Sequence, residues 1–127
     1  MIRSHRDLIV WQKSMALAVQ TYQLTATLPA SERYALALQM RRASISIPSN
    51  IAEGVGRHRR GEYARFLAIA RGSARELDTQ LELATLCGLT SGESVTAPRS
   101  LVDEVCRMLT SMLRKLDKQD IRKGPAK

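Results

Sequence analysis

A chain of 127 residues can build one hydrophobic core and is too short for a second. Apolar residues make up 44% of it but aromatics only 4%, so the core must come from Leu, Ile, Val, Met and Ala, the mixture that helices pack. A formal charge of +8, no apolar run near the ~20 residues of a membrane span, and no apolar leader at the N-terminus set membrane classes aside and lead to the expectation of a cytoplasmic protein.

Four helices are expected. The first covers about residues 7–28, where Leu8, Trp11, Met15, Ala18, Tyr22 and Thr25 step by three and four along one face, and Pro29 ends it. Ser31 is placed to cap the second, which extends to about Val55, where Gly54 and Gly56 stop it. The short loop between them makes these two helices antiparallel neighbours. The third runs from Gly61 to Cys87 with Leu67, Ala70, Ala74, Leu77, Leu81 and Ala84 inward and Gly88 as its cap. After a loop rich in Ser, Thr and Gly, Pro98 suits the first turn of the fourth, whose inward stripe is Val102, Val105, Leu109, Met112 and Leu116. The expected fold is all-α, an antiparallel up-down-up-down four-helix bundle over residues 1–120, with residues 121–127 as a disordered basic tail. Cys87 and Cys106 fall inside helices without a CxxC spacing and read as buried, reduced thiols.

The second helix carries the most information. Leu36, Met40, Ala43, Ile47 and Ile51 share its core face, while Leu38, Ile45 and Ala52, spaced by heptads, fall on the opposite side. The first helix repeats the pattern, with Val10, Leu17, Leu24 and Leu28 as a second stripe away from Trp11. A bundle helix needs one apolar face, so these seven residues are the candidate oligomer interface. A polar stripe of Gln39, Arg42, Ser46, Ser49, Asn50 and Glu53 lies between the two faces of the second helix and reads as a structural network or a partner groove. Pro48 removes a donor to the Ser44 carbonyl and crowds it, so a kink or local break is expected there.

Charge is uneven. Residues 41–75 hold eight Lys/Arg against two Asp/Glu, residues 76–113 hold two against six, and residues 114–127 hold six against two. Arg57, His58, Arg59 and Arg60, with Arg65, Arg71 and Arg75 beyond, are the candidate phosphate-binding residues, since guanidinium forks match phosphate oxygens. A solvated basic turn is the alternative. Only Tyr63 and Phe66 lie nearby, with Phe66 read as buried, which favours sequence-independent backbone contact over base stacking.

The run from Gln39 through Arg-Arg-Ala-Ser-Ile-Ser-Ile-Pro-Ser-Asn-Ile-Ala-Glu to Gly54 is followed by Gly56-Arg57, Glu62-Tyr63, Arg65-Phe66-Leu67 and the stretch from Ala70 to Leu77. These residues, with Asp7-Leu8 and Val10-Trp11-Gln12-Lys13, resemble the bacterial 23S rRNA intervening-sequence proteins over nearly the whole chain. The resemblance implies an antiparallel four-helix bundle that assembles into a ring-shaped homopentamer. The family name records a genomic location and implies no ribosomal activity. Relatives that accompany the reverse transcriptases of diversity-generating retroelements are basic rings that bind that enzyme and nucleic acid, in keeping with the charge pattern here.

No catalytic, metal or cofactor site is expected. His5 and His58 lack the Glu-x-x-His context of a di-iron bundle, and Glu53, Glu76 and Asp78 form a carboxylate site only if their helices converge. No glycine-rich phosphate loop follows a strand, and no Ser or Cys has a histidine at triad spacing. The expected function is a non-enzymatic, homo-oligomeric scaffold, a pentamer by its resemblance, that binds RNA or DNA backbone. The competing expectation is an adaptor for an acidic protein.

Overall fold

The computed structural model describes the backbone of residues 3–122 and the side chains of residues 3–119. All regular structure in that range is helical: α1 (Ile9–Thr25), α2 (Leu36–Val55), α3 (Arg60–Leu86) and α4 (Gly92–Arg122), with single 3₁₀ turns at His5–Asp7 and Ala30–Glu32. Helix α1 packs on α2 and α4, and α3 packs on the same two, so α1 and α3 occupy opposite corners of a four-helix bundle. Contacts run in opposite senses along each neighbouring pair. Arg41 bonds Thr25 while Trp11 and Ala52 share a groove, Ser46 meets Ser73 while Gly54 meets Phe66, and Arg99 pairs with Asp78 while Arg71 bonds Thr110. Lys13 pairs with Glu104 at 2.6 Å, whereas Leu24 and Pro98 line one cleft nearer the other end of α1 and α4. Adjacent helices are therefore antiparallel.

The core of α3 matches its expected stripe: Leu67, Ala70, Ala74, Leu77, Leu81 and Ala84 are all fully buried. Its end is a left-handed glycine turn. Gly88 adopts a φ of +72°, while Leu89 N–H donates to the Ala84 carbonyl and Gly88 N–H to that of Thr85, which satisfies two terminal carbonyls.

Helix α1 departs from the expectation. Its buried residues are Val10, Ser14, Leu17, Thr21, Leu24 and Thr25, with Leu28 buried just beyond, whereas Met15 and Tyr22 are exposed and Trp11 is half-buried. Val10, Leu17, Leu24 and Leu28 thus belong to the subunit's own core and cannot form an external interface. Ser14 and Thr21 interrupt its apolar spacing, which makes it read as a secondary stripe and not as the core face. Each hydroxyl donates to a carbonyl of its own helix, Ser14 to Trp11 and Thr21 to Leu17, both at 2.8 Å, and so enters the core without an unsatisfied polar group.

Three boundaries also shift. Ser31 does not cap α2; it lies in the 3₁₀ turn, and the carboxylate of Glu32 accepts from Leu36 N–H at the helix start. Helix α2 continues through Pro48 as one helix, so of the expected kink or local break the break does not occur; a proline costs one internal hydrogen bond, and this one is buried against its neighbours. Helix α4 begins six residues before Pro98 because Ser91 acts as the N-cap, its hydroxyl accepting from Ser94 N–H at 3.0 Å. At the far end α4 reaches Arg122, two residues into the stretch expected to be a tail, whose remainder, residues 123–127, lies outside the described residues.

Gly54 of α2 faces Tyr63 and Phe66 of α3. A Cβ there would lie 3.0 Å from both Phe66 Cβ and Tyr63 Cδ1, so any larger residue requires these side chains to give by a few tenths of an ångström. No helix among the described residues is long and apolar enough to cross a membrane.

Candidate functional site

The turn joining α2 to α3 presents Arg57, His58 and Arg59 to solvent, with Arg60 half-buried at the first position of α3. Arg57 pairs with Glu53 one turn back on α2, and its guanidinium lies 5.1 Å from the centre of the Phe66 ring; Arg65 approaches the same ring at 5.5 Å. Phe66 is half-buried rather than buried, with both cations beside its ring. The Glu53 pair, exposed on both partners, contributes only a few tenths of a kcal/mol.

Arg71 and Arg75 do not join this turn. They lie about 16 to 22 Å farther along the axis of α3, on the side that faces α4. Arg71 Nη1 donates to Thr110 Oγ1 at 3.3 Å, while Arg75 lines a cleft of about 460 Å³ with Asp78, Thr79, Arg99, Val102, Asp103 and Cys106. A shallower groove of about 350 Å³ continues from Cys106 past Arg107, Thr110 and Ser111 to Arg114. The candidate basic set is therefore two surfaces. Arg99, Arg107 and Arg114 belong to the second and were missed, although their steps of eight and seven keep them within one arc of α4.

Cys106 sits where the two hollows meet. Burial pushes its thiol up, Asp78 and Asp103 add to the rise, and Arg75 and Arg71 oppose it. Both cysteines are free, but neither is fully buried as expected: Cys106 is half-exposed, and Cys87 is exposed because it terminates α3 at the glycine turn.

The polar stripe on α2 divides as well. Ser46 shares a 2.8 Å hydrogen bond with Ser73 of α3, and Asn50 donates to both the carbonyl and the hydroxyl of Ser46, so these two belong to the α2–α3 seam. Gln39, Arg42, Ser49 and Glu53 are exposed, and Glu53 is occupied by Arg57. The carboxylates considered for a shared site do not converge: Glu53 holds Arg57, Glu76 accepts from Gln80, and Asp78 accepts from Arg99. Among the described residues no three His, Cys, Asp or Glu side chains come together in a way that could hold a metal ion.

A third surface is apolar. Between α1 and α2 runs a groove of about 360 Å³ lined by Trp11, Met15, Ala18, Ile45, Pro48 and Ala52, with His5 and Ser49 at its rim. Ile45 is 45% exposed, and Leu38 and Ala52 are half-buried, so the heptad stripe of α2 faces outward as expected. Its partner on α1 is the Trp11 side, with Met15 and Ala18.

A search of curated proteins finds no match. Among solved structures, the fold resembles a Bacteroides thetaiotaomicron protein of unknown function from the S23 ribosomal protein family, with a TM-score of 0.77, 26% sequence identity, and coverage of 83% of this chain and 98% of that one. Residues 6–111, which take in the apolar groove, the basic turn and nearly all of the α3–α4 seam, match the family described as 23S rRNA-intervening sequence protein, and the chain belongs to that family.

Proposed function

We propose that the protein is a non-enzymatic, cytoplasmic scaffold that self-associates and holds the phosphate backbone of nucleic acid on clustered arginines. The observation that carries this reading is the set of basic side chains with no carboxylate partner among the described residues, including Arg59, Arg75 and Arg114. Such groups keep their full charge and forked donors available to phosphate. Self-association is supported by the α1–α2 groove, where several large apolar side chains stay in water; burying each is worth roughly 1.5 to 3 kcal/mol. A ring of five is the form the family resemblance implies, and it would repeat the subunit's excess positive charge around one axis.

Titrating a labelled oligonucleotide across a range of salt, with light scattering on the same samples, tests both halves. The expected result is an affinity whose logarithm falls linearly with log salt and a particle larger than one subunit at micromolar concentration. A monomer that binds no nucleic acid at low salt overturns the proposal. Capture of one acidic protein that survives nuclease treatment would replace it with the adaptor reading.

A further inference from the structure

The hairpin formed by α3 and α4 sorts its charge along its length. Residues 76–86 lie against residues 92–104, and together they carry six acids and one base, Arg99. Residues 63–75 lie against residues 105–116, and together they carry six bases and no acid. The boundary falls at Cys106. Neither helix has this pattern over its whole length; the antiparallel pairing brings the basic half of each against the other.

On the basic side, Arg71 and Arg75 stand on the α3 lip of the furrow, and Arg114 on the α4 lip with Arg107, which is paired with Asp103 one turn back at 2.6 Å. Thr110 and Ser111 supply hydroxyls between them, and the Arg71 to Thr110 bond ties the two lips at one level. Arginines four and seven residues apart are spaced about 6 and 10 Å along their helices, so the cations form two rows parallel to the furrow. Axes of packed helices lie about 8 to 10 Å apart, so the two rows flank a surface furrow about the width of one extended strand. No aromatic ring lines either hollow, so bases would remain outside and unread. On the acidic side Arg99 is already held by Asp78 and Glu82, and the carboxylates there repel further phosphates.

We infer that the basic half of the α3–α4 furrow seats a single-stranded phosphodiester backbone, with Arg71, Arg75 and Arg114 as its contacts, and that the acidic half ends the site at Cys106. The inference rests on the nucleic-acid reading above and assigns it a strand type and a location away from the Arg57–Arg60 turn.

The test is fluorescence anisotropy with a labelled oligothymidylate of about 15 nucleotides, from about 50 to 200 mM salt. The triple variant Arg71→Gln, Arg75→Gln, Arg114→Gln should weaken binding at least about tenfold and flatten the salt slope by about 2, since each single-strand phosphate contact contributes roughly 0.7. The turn variant Arg57→Gln, Arg59→Gln should change affinity by less than about threefold. A second readout requires no arginine change: in Cys87→Ser protein, saturating oligothymidylate should slow alkylation of Cys106 by iodoacetamide. An equal or greater loss in the turn variant, a preference for duplex of the same length, or an unprotected Cys106 would overturn the furrow site while leaving nucleic-acid binding intact. Wild-type protein that binds neither single strand nor duplex at about 50 mM salt would remove both.

Discussion

Helix α1 carries two apolar stripes of the same period, and the bundle hides one and leaves the other in water. Val10, Leu17 and Leu24 are 1%, 0% and 8% exposed, whereas Met15, Val19 and Tyr22 range from 41% to 55%. Hydrophobicity does not separate them, since the exposed stripe has the larger side chains. Size does. Between the inward Val and Leu residues stand Ser14 and Thr21, both fully buried, whose small side chains let α1 approach its neighbours and whose hydroxyls are satisfied by the helix itself. Trp11, Met15 and Tyr22 are too bulky for that close contact and remain on the α2 flank, where Trp11 and Met15 line the groove and Tyr22 lies under Arg41.

Three substitutions would break or sharpen this contrast. Leu17→Ala removes a fully buried side chain and should destabilise the fold by about 2 to 5 kcal/mol in a denaturant titration. A loss below about 1 kcal/mol would mean that the inward stripe is not the core. Ile45→Asp, on the exposed side, should leave helix content intact and cost the isolated subunit less than about 1 kcal/mol, while reducing particle size in light scattering. Unchanged particle size would show that the groove is not the contact. Thr21→Val should be nearly silent, within about 1 kcal/mol, because the Leu17 carbonyl it releases keeps its place in the helix ladder. A larger destabilisation would show that the hydroxyl itself supports the packing.

Where apolar spacing was uninterrupted, the fold was legible in the sequence: every inward residue expected on α3 is buried. Legibility failed where hydroxyls substituted for apolar groups, as at Ser14 and Thr21, because hydropathy counts them as polar although a local back-bond neutralises them. It failed again at the start of α4, where Pro98 was taken as the opening although Ser91 caps the helix nearly two turns earlier. For the candidate surfaces, the exposure of Ile45 and of the turn from Arg57 to Arg59 follows from local pattern alone. Splitting Arg71 and Arg75 from that turn, and adding Arg107 and Arg114 to them, required knowing which stretch of α4 lies opposite, a tertiary fact that no local window contains.

The groove also holds the chain's one tryptophan. Trp11 is half-buried beside Ile45 and Pro48, with the His5 ring edge-on at a centroid distance of 5.1 Å and an angle of 64°. An indole in that position is an intrinsic optical probe of whatever covers the groove. On the proposed self-association, dilution through its midpoint should shift the emission to the red as water reaches the ring, and Ile45→Asp should fix the emission at the dilute limit at every concentration. Assembly can then be followed in unlabelled protein at concentrations far below those that scattering needs.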